Sequence, residues 1–191
     1  MKKMIAYGSV LAAAMTALPV AAQADAELLT QARSIASEIP PKLLAVLQEE
    51  ITKDGPENAM AVCRDKAPQM AKAASEKTGW NIRRVSLKNR NPNATPDAWE
   101  KAALEEFEQR QAAGQAPATL EKGELITEGT VPTYRYIKAL PTQTLCLSCH
   151  GSPDNFSPSF KAKLHALYPH DKATGYAPGQ IRGAITLKRA L

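Results

Sequence analysis

The stretch LEKGELITEGTVPTYRYIKAL, residues 120–140, decides what kind of sheet this chain builds. Leu120 to Glu128 and Thr133 to Leu140 read as two strands, and Gly129-Thr130-Val131-Pro132 between them is turn-forming, which predicts a hairpin. Strands joined by so short a connection run antiparallel. Trp80 to Lys88 is an earlier strand candidate; the alternation of Ile82, Val85 and Leu87 slips, which predicts a bulge. Ile181 to Lys188 is a last strand, with Ile181, Gly183, Ile185 and Leu187 expected on one side. The helical segments between these strands show no regular βαβ rhythm, so the expected fold class is α+β.

Just beyond the hairpin lies Cys146-Leu147-Ser148-Cys149-His150. A C-x-x-C-H run is the signature of covalent c-type haem attachment. Two thiols two residues apart reach the two vinyl groups of one porphyrin, and the following histidine lies under the iron. A thioredoxin-like pair would call for a βαβ setting, whereas Pro141 to Thr144 and Gly151-Ser152-Pro153 read as loop. Zinc would call for a second ligand pair at similar spacing, and the sequence has none. Haem c, one per chain, is the expected cofactor.

The N-terminus supports that reading. Lys2 and Lys3, an apolar run from Met4 to Val20 and Ala22-Gln23-Ala24 form the pattern of a secretory leader cleaved after Ala24. The expected organisation is therefore a leader over 1–24 and one haem domain over 25–191, with N-terminal helices over 25–54. Export places the chain in the periplasm, where no membrane anchor is expected. The chain carries 24 Lys and Arg against 19 Asp and Glu, and two of those lysines lie in the leader. No basic run suggests nucleic acid.

There are three cysteines, and the motif uses two of them. Cys63 is left over. An odd cysteine in an exported chain is an intermolecular disulfide partner, a reactive thiol or an inert buried one. Beside a haem it is also a candidate iron ligand opposite His150. Ala26 to Glu38 reads as a helix ended by Pro40-Pro41, and Pro41 to Lys53 as a second, unless the two form one kinked helix. No ligand chemistry is evident in either. Gly55-Pro56 restarts the chain as a helix with Ala59, Met60, Cys63, Ala67, Met70, Ala71 and Ala74 on one face. Pro68 is expected to kink or divide it near Ala67, and Gly79 to end it. Thr95 is the expected cap of a further helix carrying Trp99, Ala103, Leu104 and Phe107. Ser157-Pro158 starts a short helix that Tyr168-Pro169 stops.

Four blocks in this order resemble a bacterial family of single-haem c-type proteins with a PAS-like fold: Gly55 to Cys63 with Ala67-Pro68; Ser86 to Asn93 with Pro96 to Glu100; Cys146 to Gly151; and Tyr168-Pro169, Asp171, Ala173 to Tyr176 and Arg182 to Ile185. The resemblance implies a small antiparallel sheet flanked by helices and gripping one haem. It implies His150 and Cys63 as the axial ligands of the iron. Related domains also serve as sensory parts of signalling proteins.

Met60, Met70, His165 and His170 are rival ligands, each better read as core or surface. The haem propionates need cationic partners. Arg83, Arg84, Lys88, Arg90, Arg135 and Arg182 are candidates, and Arg90 and Arg182, which sit in family-like blocks, are preferred. Trp80, Trp99 and Tyr176 read as core or pocket wall. The expected function is one-electron transfer or redox sensing with an unidentified redox or signalling partner, not catalysis. The alternative is a gas sensor in which Cys63 is displaced. A haem enzyme or a thiol–disulfide oxidoreductase ranks below both.

Overall fold

The computed structural model describes residues 20–191; most of the expected leader lies outside them. The chain is α+β, a long N-terminal helix laid on a four-stranded antiparallel sheet. Helix α1 spans Val20–Ala61, a π-helical segment covers Val62–Lys66, and α2 covers Ala67–Thr78. Strand β1 (Asn81–Val85), helix α3 (Ala98–Ala112) and strands β2 (Glu121–Glu128) and β3 (Val131–Pro141) follow. Helices α4 (Leu147–His150) and α5 (Pro158–Leu167) precede strand β4 (Ile181–Ala190). The strand order is β1-β4-β3-β2, every neighbouring pair is antiparallel, and the expected hairpin is β2–β3.

Both faces of the sheet are covered, which explains the broken alternation in β1. Ile82 packs with Leu28, Ala32, Tyr136 and Leu187 under α1. Val85 packs with Leu104, Phe107, Ile137 and Ala184 under α3. The β1–β4 register runs without a shift from Asn81↔Lys188 to Val85↔Ala184, so the expected bulge is absent there. The irregularity lies instead between Leu140 and Pro141 on β3, opposite the start of β4. There Gly183 has φ 146, and a Cβ on it would lie 2.3 Å from the Val85 carbonyl oxygen. This distortion sends Ile181 to the α3 face while Ile185 and Leu187 stay on the α1 face, so the expected one-sided strand is divided.

Pro40-Pro41 does not end α1. Two internal prolines remove two helical N–H donors and cost about 3 kcal/mol or more each in an unsupported helix. Here the apolar stripe continues through them: Ala36 and Leu43, on either side, are both buried. The break falls at Gly55 (φ 75, ψ 171), and Pro56 begins the next helical run, as its sequence position suggests. Pro68 divides the helix near Ala67, as its position in the sequence suggests. The preceding five residues widen into the π segment, closed by the Ala67 N–H to the Val62 carbonyl, and Pro68 then sits in the first turn of α2. Widening relieves the collision a proline ring otherwise makes with the carbonyl four residues back. Helix α3 is capped by Asp97, not Thr95: its carboxylate accepts from the Glu100 N–H while the Glu100 carboxylate accepts from the Asp97 N–H. No helix among the described residues is long and apolar enough to cross a membrane.

Candidate functional site

The C-x-x-C-H stretch is a single tight turn. Thr144–Cys146 is 3-10 helix and Leu147–His150 continues it as α. The Gly151 N–H closes the turn on the Leu147 carbonyl at 2.9 Å, so tightly that a Cβ at Gly151 would lie 2.7 Å from that same oxygen. Cys146 and Cys149, three apart in a helical turn, face the same way. All three cysteines carry free thiols and are half-buried.

His150 is held from behind. Its Nδ1 lies 2.7 Å from the Ala173 carbonyl oxygen. A carbonyl only accepts, so Nδ1 carries the proton and Nε2 keeps its lone pair for a metal. Burial lowers the His150 pKa well below its usual value, and the nearby guanidinium groups of Arg182 and Arg90 reinforce this, so the ring is neutral. The Tyr176 ring meets it edge-on, with centroids 6.4 Å apart.

Two adjoining clefts share six wall residues: Cys63, Arg84, Arg90, His150, Tyr168 and Arg182. The first is walled by Leu43, Leu44, Leu47 and Ile51 of α1 and by Cys146 and Cys149. The segment expected to lack ligand chemistry thus supplies the apolar wall of the site. The second cavity is walled by Ala67, Pro68 and Ala71 of α2 and by Asn89, Asn91 and Asn93. Together they form one slot, lined by aliphatic side chains of α1 at the cysteine end and by Asn89, Asn91 and Asn93 at the other, and Cys63 and His150 line both parts. Cys63 lies in the π segment. Burial pushes its thiol pKa up, and the positive charges of Arg84, Arg90 and Arg182 oppose that. Burial pushes the Cys149 thiol up to about 11.

The rival ligands fall elsewhere. Met60 is buried with Phe156, Phe160, Leu164 and Tyr168 and reaches the apolar cavity wall. Met70 lines neither cavity, and His165 and His170 are exposed on the surface.

The candidate cationic side chains separate clearly. Arg83 bonds Glu100 and the Thr95 carbonyl. Arg135 pairs with Asp97 at 2.6 Å and with Glu128 at 3.2 Å, and stacks on Trp99 at 4.5 Å. Lys88 donates to the Thr174 carbonyl at 2.8 Å. Arg90 is buried and makes a two-pronged pair with Asp171, 3.1 Å from each prong, while its Nη2 also donates to the Cys149 carbonyl at 2.6 Å. Arg90 therefore braces the motif turn. Arg182 donates to Ser86 Oγ at 3.1 Å, and its Nε is buried without a partner. Arg84 stands in the slot with no hydrogen bond or ion pair to the described residues. Trp80 is core, edge-on to Tyr134 at 6.0 Å.

This donor set suits a c-type haem. Two thiols on one turn, a neutral imidazole with a bare Nε2, a third cysteine lining the same slot, an apolar wall and an orphaned guanidinium N–H are the parts such a group engages. Among the described residues, no three of His, Cys, Asp and Glu converge as side chains alone to hold a metal ion. Sequence reasoning missed Tyr168 as a wall shared by both cavities and Ala173 as the partner of His150. Asp171 and Ala173 lie in the C-terminal block quoted above, which is the only sequence signal for them.

No curated protein matches the chain. Among solved structures, the crystal structure of the cyanobacterial heme-protein Tll0287 is similar: 26% identity, 88% of this chain and 95% of that one covered, TM-score 0.61. The Tll0287-like family model matches residues 15–189. The chain therefore belongs to the Tll0287-like family.

Proposed function

We propose that the chain is a periplasmic, monohaem c-type cytochrome-like protein of PAS-like fold. In this reading Cys146 and Cys149 form the thioether bonds, and His150 and Cys63 take the two axial positions of the iron. The observation that carries the reading is the convergence of the C-x-x-C-H turn and Cys63, 83 positions earlier in the chain, on one slot. The similar haem-protein of known structure supports it.

Bound there, a haem would supply an iron that exchanges one electron between its ferric and ferrous states. The Ala173 carbonyl fixes the tautomer and tilt of His150. The three arginines lower the energy of a Cys63 thiolate against the cost of burial, and a thiolate donor favours the ferric state. Leu43, Leu47 and Ile51 exclude water from one wall. Were Cys63 and His150 both to hold the iron, a substrate could bind it only by displacing one of them, which favours electron transfer or redox sensing over catalysis. A thiol–disulfide oxidoreductase needs a thiol of low pKa, and Cys149 is shifted the other way.

Cys63→Ser tests the assignment. One covalently attached haem by mass, with altered visible and EPR spectra of the ferric protein, is expected. Unchanged spectra refute thiolate ligation. A second reading, a sensor for a diatomic gas, is favoured by the place of Cys63 in a π segment, where a reversion to α geometry would withdraw it, and by burial that favours its neutral thiol. A spectrum of the reduced protein that does not change under CO argues against that reading.

A further inference from the structure

We propose that Arg84 and Arg182 anchor the two carboxylates of the bound porphyrin, and that Arg90 is a clamp on the motif rather than a carboxylate ligand. This rests on the haem reading above.

Two independent features of the slot point to it. The first is charge. The six residues shared by the two cavities include three guanidinium groups and no carboxylate. Asp171 is taken by Arg90 in a pair in which both side chains are 8% exposed. Arg84 and Arg182 are left facing the same space. Arg84 pairs across the sheet with Ile185, which itself lines the first cavity, so Arg84 stands on the cavity face of β1. The buried Nε of Arg182 has no acceptor, and a buried N–H without an acceptor costs about 1–3 kcal/mol. Burial, and then the neighbouring Arg84, pull the Arg182 pKa down to about 10, the direction expected for two cations that lack an anion between them. A dicarboxylate relieves all three strains, and guanidinium groups take carboxylates through paired N–H donors.

The second feature is the placement of side chains along the slot. Cys146 and Cys149 line the first cavity and not the second. Asn89, Asn91 and Asn93 line the second and not the first. In a c-type haem the thioether-bearing edge and the carboxylate-bearing edge are on opposite sides of the ring. Attachment at the cysteine end therefore directs the carboxylates toward the asparagine end, where Arg84 and Arg182 line the way.

The test uses the exported, haem-loaded protein and the substitutions Arg84→Gln, Arg182→Gln and Arg84→Lys, with Lys72→Gln as a control from the same cavity wall. Reduction midpoint and the propionate bending bands in resonance Raman are measured. Arg84→Gln and Arg182→Gln are expected to shift the propionate bands and move the midpoint downward, since removing a nearby positive charge disfavours added electrons, while the ferric EPR signature of the axial ligands stays as in the parent. Arg84→Lys keeps the charge but not the fork, so it is expected to restore the midpoint without restoring the bands. Parent-like midpoint and bands in Arg84→Gln overturn the proposal. Arg84 bonds nothing else among the described residues, so its substitution decides the matter even if Arg182→Gln does not accumulate. A parent chain whose mass shows no attached haem refutes the underlying haem reading instead, which is a separate outcome.

Discussion

Arg90→Met puts the clamp on the motif to a quantitative test. The substitution keeps an unbranched apolar stem and deletes the guanidinium. Asp171, 8% exposed, then loses both of its Arg90 contacts. The Cys149 carbonyl loses a 2.6 Å donor. Removing one partner of a buried pair costs about 3–5 kcal/mol, because the remaining charge stays buried without compensation. For a domain of this size each kcal/mol moves Tm by about 2–4 °C, so a fall of about 6–20 °C is expected. The Asp171 carboxylate also receives the Ala173 N–H at 2.9 Å, and the Ala173 carbonyl holds His150, so the loss reaches the histidine. Denaturant unfolding of Arg90→Met, Asp171→Leu and the double variant, each at matched haem content, measures this. The double variant should recover much of the loss, since replacing both members of a buried pair by apolar groups is often close to neutral. A single variant within about 0.5 kcal/mol of the parent, the size of an ordinary surface substitution, refutes the reasoning.

Gly183→Ala should cost at least about 2 kcal/mol, since a Cβ there meets the Val85 carbonyl oxygen at 2.3 Å and the backbone has φ 146; parent-like stability by denaturant titration would contradict the β1–β4 junction described above. Glu57→Ala removes the acceptor of the Ser157 and Ser159 hydroxyls and is expected to cost about 1–2 kcal/mol by the same titration. Partial burial pushes the Asp97 carboxyl up, but the Arg135 guanidinium and the Glu100 N–H more than reverse this, leaving its pKa below the usual value. Its contribution to stability is then complete above the unfolded carboxylate value of about 3.9 and is lost as pH falls through the lower folded value. Asp97→Asn should accordingly flatten the acid limb of a stability–pH curve, and an unaltered limb would show that this ion pair is not what protects the fold there.

The hairpin was legible because strand composition and turn residues agree over residues 120–140, and β2–β3 forms where they place it. Local chemistry was a weaker guide where packing overrode it. Pro40-Pro41 carries a stop signal, yet the stripe through Ala36 and Leu43 is buried against the body of the protein and the helix continues. Thr95 and Asp97 are both cap residues; Asp97 forms the cap because Glu100 three positions on completes a reciprocal pair of bonds. The slipped alternation in β1 was read as a bulge, whereas it reflects a sheet buried on both faces, which spacing alone does not distinguish. At the site, the motif cysteines and histidine announce themselves by spacing. Which arginine is free does not, since Arg83, Arg84, Arg90, Arg135 and Arg182 look alike until their partners are known. The Ala173 carbonyl is backbone and carries no side-chain signal at all.

The separation between Cys63 and His150 is set by contacts that neither residue makes. Cys63 belongs to the run that restarts at Gly55, His150 to the turn that leaves the sheet after β3. Three connections join the two pieces. Glu57 accepts from Ser157 and Ser159 at the start of α5, Lys163 on α5 donates to Asn58 at 2.7 Å, and Met60 packs with Phe156, Phe160, Leu164 and Tyr168 beneath them. Helix α5 thus fastens the Cys63 segment to the chain that follows the motif, while Arg90 fastens the motif to the loop after β1. The π segment is the one element in this circuit whose geometry has a nearby alternative, because an α hydrogen bond spans one residue fewer than a π hydrogen bond. A redox-linked change in the hold on Cys63 would therefore be absorbed between Val62 and Lys66, and passed to α2, before it disturbed the sheet or the motif turn.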